Sequence, residues 1–362
     1  MSLVLLEGPP SEVPEADRLP DLPHPREVLS LIGHEAAERE VLEAYRAGRM
    51  HHAWLIGGPE GIGKATLAYR IARFLLAYPD PSHPHVAMAQ TLDVPADHPV
   101  SHQIAANAHP DLAVIRRAYD PQKKGVPTEI SADFARKGLE VFNKTAAGGG
   151  YRIAIVDACD DLNAHSANAL LKTLEEPPRL GLFLLVAHQP RRLLPTIRSR
   201  CRQLPLRELS ESDVRRITQS LPATADVDAA LHARAAALAD GSVRQALAML
   251  DEKRIAFHDR VEAILADAGK ARRAEIDAVA EETAGRDGEV AFERFCELVQ
   301  AWLHRSLHVS EGRGATAHEI AELWARFEEK RREVDIYNLD RRPFVIAMLN
   351  ACGKIGTALA AD

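Results

Sequence analysis

Four cysteines in 362 residues, Cys159, Cys201, Cys296 and Cys352, are too few and too widely spaced for a disulfide framework, and none belongs to a C-x-x-C pair. Free thiols in a reducing compartment are therefore expected. No uninterrupted apolar run approaches the ~20 residues needed to cross a bilayer. The opening stretch MSLVLLEGPPSEVPEADRLPDLPHP also lacks a basic n-region. A cytoplasmic location without membrane partners is the expectation. An overall basic field is missing as well, because 45 Lys and Arg face 52 Asp and Glu for a net charge of −7. Any contact with nucleic acid must then be local or shared with other chains.

What is present is an ordinary globular composition, 46% hydrophobic and 27% charged, long enough for two or three domains. Residues 1–24 are rich in proline and acid and read as a flexible N-terminal tail. Over 25–206, short apolar runs alternate with helical stretches, the pattern of βαβ units on a parallel sheet, so an α/β domain is expected there. AWLIGG, YRIAIVDA and GLFLLVAH read as its buried strands. From LSESDVRRITQSL onward the chain reads helical, divided into a small domain at 207–265 and a further one at 266–362. In VAFERFCELVQAWLHRSL, Phe292, Phe295, Val299, Trp302 and Ser306 share one helical face that needs an apolar partner.

GGPEGIGKAT, residues 57–66, carries the first chemistry. A strand, a glycine-rich turn and a helix opening on lysine form the context of a phosphate-binding loop, whose N–H groups cradle phosphates while the lysine reaches the β and γ oxygens. Gly58, Gly61, Gly63 and Lys64 fit, but Ala65 stands where a hydroxyl should bind Mg²⁺. Thr66 follows one place later, turned about 100° away on a helix. In YRIAIVDACDDL, Asp157 ends the strand where such ATPases place their metal-supporting carboxylate, yet the next residue is Ala158 instead of a water-polarising glutamate. Asp160 and Asp161 read as a solvated capping turn. Both hydrolytic positions are damaged.

SANALLKTLEEPP (166–178), GLFLLVAHQPRRLLPTIRSRC (181–201) and GSVRQALAML (241–250) together resemble bacterial DNA polymerase III clamp loader subunits over residues 24–250. The resemblance implies an α/β AAA+ P-loop domain with a parallel sheet, a small helical lid and a C-terminal all-helical collar that assembles five subunits around primed DNA. It implies that Arg200 of the S-R-C motif is a finger reaching the ATP site of a neighbouring subunit. For an isolated S-R-C, an arginine paired with a surface carboxylate is the alternative. Arg191, Arg192, Arg198 and Arg202 read as a solvated or interface face. Arg244 matches the lid arginine that lies over a subunit's own nucleotide, with ordinary helix-surface charge as its alternative. Ala187 and His188 stand where active relatives carry a polar sensor. Members of the family often hold zinc on cysteines before a HPDL segment, here His109 to Leu112, but no cysteine occurs in this interval. His83, His85, His98 and His102 lie within it, and the i,i+4 spacing of His98 and His102 could chelate Zn²⁺ on a helix, but without thiolates a loop that has lost its zinc is expected.

These readings converge on the delta-prime type of subunit, with little or no ATPase activity of its own. ATP and Mg²⁺ would belong to the neighbouring gamma/tau subunit, and nucleotide binding at this chain's own loop stays open. Implied partners are gamma/tau and delta subunits, the sliding clamp and, through the assembly, primer-template DNA. An active gamma/tau-type subunit is the alternative. A P-loop small-molecule kinase is a third reading, for which S-R-C and the long helical tail have no use.

Overall fold

The computed structural model describes residues 15, 18, 22–119, 125–147, 149–267, 271–285, 288–310 and 314–361. The chain forms two compact units, Met1–Leu247 and Ala248–Asp362.

The first unit is built on five parallel strands, β1 (Ala53–Gly57), β2 (Leu112–Arg116), β3 (Arg152–Asp157), β4 (Gly181–Ala187) and β5 (Arg202–Pro205), in the order β2-β3-β4-β1-β5. β1 lies between β4 and β5, with Ala53 opposite Phe183 and Trp54 opposite Arg202. Successive strand residues point to opposite faces. Trp54, Ile56, Ile153, Ile155, Leu182 and Leu184 therefore enter one core layer. Leu55, Ala154, Val156, Phe183 and Leu185 enter the other. A sheet covered on both faces needs continuous apolar strands, which is why AWLIG and GLFLLVA are buried at every position.

Helices α1 (Glu35–Arg46) and α2 (Lys64–Ala77) contribute to the first layer. α3 (Pro84–Met88) and α4 (Pro99–Ala105) pack there through Val86, Val100 and Ile104. Buried Arg70 of α2 donates to Glu38 of α1 at 3.0 Å and to Asp93 at 2.8 Å, tying the loop between α3 and α4 to these two helices. α5 (Ala132–Leu139), α6 (Ala164–Glu175) and α7 (Pro195–Arg198) supply the second layer. The Asn163 carboxamide caps α6 by accepting the N–H groups of His165 and Ser166. Pro177 and Pro178 follow its end. A small separate cluster of Leu209, Val214, Ala236, Ala239 and Ala246 holds α8 (Glu211–Ser220), α9 (Ala229–Ala237) and α10 (Val243–Ala248).

Among the described residues, the elements of the second unit are all helices: α11 (Glu252–Ala266), α12 (Arg273–Glu282), α13 (Glu289–Val309), α14 (Gly314–Tyr337) and α15 (Arg341–Ala361). The face read from the sequence, Phe292, Phe295, Val299, Trp302 and Ser306, is buried. Its partners include Phe344, whose ring lies 5.6 Å from Phe292 and 5.5 Å from Phe327. The structure differs from the expected boundary at 265, because Phe257, Val261, Ile264 and Leu265 of α11 belong to this unit's core. All four cysteines are free and buried. Burial pushes the Cys201, Cys296 and Cys352 thiols up to about 12.

Most of the expected tail, residues 1–24, lies outside the described residues. Of the part described, Glu15 is largely buried and binds Arg26 at 2.8 Å, Arg18 at 3.1 Å, and Arg116. Burial opposes its charge, but the hydrogen bonds from Arg26, Arg116 and Arg18, with the positive charge of Arg116, hold the carboxyl well below the usual range.

Candidate functional site

β1 ends at Gly57, and the loop that follows rises over the C-terminal edge of the sheet to the first turn of α2. Gly61, at φ 79°, has no room for a side chain: a Cβ would sit 2.3 Å from the Ser242 hydroxyl and 2.6 Å from Arg244 Cβ. The start of α10 is seated on the loop at this point, and Val243 N–H donates to the Gly61 carbonyl at 2.9 Å. Gly58 packs against the Leu206 carbonyl, where a Cβ would stand 2.5 Å from the oxygen. On the other side, the His34 ring meets the Ile62 carbonyl at 2.7 Å.

A cavity of about 270 Å³ opens beside this loop. Its polar wall carries Gly61, Gly63, Lys64, Thr66, Asp157 and Arg244, six of the seven residues expected to hold nucleotide. Gly58 stands outside the lining. The apolar wall carries Pro25, Leu31, Ile217 and Leu221, so α8 of the small helical cluster closes the same space. Lys64 is almost fully buried, and its ammonium donates to the Pro59 carbonyl. Burial pushes it down to about 8, against the pull of Asp157, Glu60 and Asp160.

The acidic turn after β3 differs from the solvated cap read in the sequence. The Asp160 carboxylate accepts the backbone N–H of His188 at 2.6 Å and of Gln189 at 2.8 Å, pinning the exit of β4. It is committed to backbone, whereas a free catalytic carboxylate would not be. Asp161 is half-buried and paired with Arg117 at 3.0 Å, and both line the cavity. Burial raises the Asp161 carboxyl, opposed by Arg117 and His188. His188 lines the cavity, with its basicity lowered by burial and then by Lys64. Arg117 and Glu60 were not singled out from the sequence; their only signal there is proximity to motifs whose folding brings them together. Arg244 faces Glu60 at 3.3 Å.

Arg200 is not among the residues lining this cavity. It follows α7, donates from Nη1 to the Thr196 carbonyl at 2.9 Å, and pairs through Nη2 with Glu175 at 2.9 Å. The surface carboxylate that the alternative reading expects is thus present. Of the neighbouring arginines, Arg202 stacks over Trp54 at 4.6 Å and pairs with Glu40 at 2.8 Å.

Three of the four histidines noted before HPDL, His83, His85 and His98, have other partners. His83 and His98 precede proline at the starts of α3 and α4, and each accepts through Nδ1 the N–H two residues on, at 3.2 Å. His24 and His109, also followed by proline, do the same at 3.1 and 3.2 Å. His85 stacks on Tyr78 at 4.3 Å. Among the described residues, no three His, Cys, Asp or Glu side chains form a metal-binding group.

The parallel sheet, its phosphate-binding loop between β1 and α2, and the following small helical cluster define a P-loop module of the AAA+ class. Residues 33–210 match the family model described as DNA polymerase III, delta subunit. Over residues 33–210 the chain is thus similar to the DNA polymerase III clamp loader family. It is 38% identical over 152 residues to the DNA polymerase III subunit delta' of Pseudomonas aeruginosa, covering 42% of each chain. To the delta' subunit of Escherichia coli it is 35% identical over 163 residues, covering 45% of this chain and 44% of the relative. A longer match, 30% identical over 233 residues, joins it to the DNA polymerase III subunit tau of Salmonella typhimurium, covering 63% of this chain and 33% of that one. The chain thus spans less than half the length of these curated relatives. No helix among the described residues is long and apolar enough to cross a membrane.

Proposed function

We propose that this chain is a delta-prime-type subunit of the clamp loader, a stator with little or no ATP hydrolysis of its own. It lends Arg200 to the ATP site of an adjacent gamma/tau-type subunit. In an assembly that also contains a delta subunit, it helps load the sliding clamp at primer-template junctions. The carrying observation is a phosphate loop kept with its lysine while the hydrolytic groups are gone. Ala65 and Ala158 occupy the two positions that need a hydroxyl and a carboxylate, and Asp160 is bonded to His188 and Gln189. Loop N–H groups and Lys64 suit the phosphates of a nucleotide beneath Arg244, but the donor set at residue 65 does not suit Mg²⁺. Arg200, outside its own cavity and partly exposed, supports a role across an interface. A guanidinium suits that role because its fixed charge and forked donors meet γ-phosphate oxygens as charge develops, an effect worth about 10³ to 10⁵ in rate. The loop before HPDL works without zinc, being held by Arg70, apolar burial and histidine caps.

The test is ATP turnover by the purified chain, with and without primed DNA. Negligible turnover is expected, with Ala65→Thr and Ala158→Glu recovering some activity only in combination. Robust DNA-stimulated hydrolysis by the unaltered chain would instead favour an active gamma/tau-type subunit. That second reading draws on Thr66, which does line the cavity, and on the long match to tau.

A further inference from the structure

We propose that Glu175 is a positioning residue for Arg200, one that fixes the guanidinium before a phosphate reaches it. The proposal rests on Arg200 acting as the finger in trans. Arginine is a long, rotamer-rich side chain, and a half-exposed one has no fixed direction unless something holds it. Here two groups hold it. The carbonyl of Thr196, the second residue of the four-residue α7, takes Nη1 at 2.9 Å, and the Glu175 carboxylate takes Nη2 at 2.9 Å. Guanidinium carries five N–H donors, so two inward bonds leave the others for an outside ligand in a set direction. The fork is oriented without being used up.

The location of Glu175 supports this role. It is the last residue of α6, followed at once by Glu176. A carboxylate at a helix C-terminus faces the negative end of the macrodipole and is disfavoured there. Two adjacent acids at this end make a negative spot that draws a cation. The other contact on Arg200 is a neutral acceptor, the Thr196 carbonyl within α7. With 35% and 51% of the two side chains exposed, the ion pair is weak enough for a phosphate to share or replace it.

The experiment uses the reconstituted clamp loader, with each variant first checked for equal subunit stoichiometry, and reads ATP turnover in the presence of clamp and primed DNA. Glu175→Ala should lower kcat about two- to five-fold, the range an exposed pair allows, while leaving KM for ATP unchanged. Glu175→Gln, which keeps an acceptor, should lose less. Glu175→Lys should lose more, because it repels the guanidinium. Thermal unfolding of the Gln variant alone should occur at the same or a higher temperature, since an acid is removed from a helix C-terminus. Activity and stability would then move apart, which a merely structural role does not allow. In an Arg200→Ala background, Glu175→Ala should have no further effect. If Arg200→Ala slows turnover but Glu175→Ala does not, the positioning role is overturned while the finger stands. An equal loss from Glu175→Ala with and without Arg200 also overturns it. If Arg200→Ala itself has no effect, the finger fails and Glu175 has nothing to position.

Discussion

Single atoms decide whether this P-loop does chemistry. Replacing a hydroxyl by the methyl of Ala65 leaves the backbone cradle intact but removes a metal ligand, and the nearby Asp160 already serves two N–H groups of another segment. Asp160→Ala should therefore behave as a structural lesion, costing about 1–3 kcal/mol in denaturant unfolding because charge-assisted bonds to backbone are lost. An unchanged midpoint would show that the turn is solvated after all. Lys64 offers a pH test. Its folded-state value lies near 8, below the unfolded 10.5, so burying the charged form is a cost that is fully present below pH 8. Between 8 and 10.5 the unfolded state binds more protons, and stability recovers as pH rises. Lys64→Met should raise Tm at pH 7, with a gain that shrinks across that window. A gain independent of pH would point to packing instead of charge. The altered positions 65 and 158 are legible in sequence because motif spacing is local. The bonds of Asp160, and the meeting of Glu175 with Arg200, depend on how distant segments return to one edge of the sheet.

At the scale of elements, β1, β3 and β4 were readable because central parallel strands are apolar on both faces. β5, with Arg202, Gln203 and Pro205 exposed, carries no such signal, and β2 is only partly buried. Both are outer strands of the sheet. The histidine-proline pairs show a different limit. Sequence spacing admitted His98 and His102 as metal ligands, but a proline at the first helical position leaves the preceding residue to cap the next free N–H. His98 does so with Nδ1. His98→Asn should keep the cap and nearly wild-type stability, whereas His98→Ala should cost about 1 kcal/mol in chemical unfolding. Equal losses would mean that the ring is held for another reason. Elemental analysis of protein prepared in metal-free buffer should find well under one zinc per chain; stoichiometric zinc lost on replacing His98 and His102 would overturn the zinc-free reading of this loop.

For the whole molecule, the sequence reads as three parts after the tail, 25–206, 207–265 and 266–362, whereas the chain clusters into two units, Met1–Leu247 and Ala248–Asp362, with the apolar residues of α11 in the core of the second. Periodicity alone could not assign α11, because a helix shows which face is apolar but not which neighbour covers it. The central claim concerns what this chain gives to another. It is tested most directly by ATP turnover of the assembled clamp loader carrying Arg200→Ala, at wild-type stoichiometry and with clamp and primed DNA present. The account predicts normal assembly, slowed hydrolysis at the neighbouring site, and only partial rescue by Arg200→Lys, whose ammonium cannot reproduce the fork. Normal assembly with wild-type turnover would contradict it.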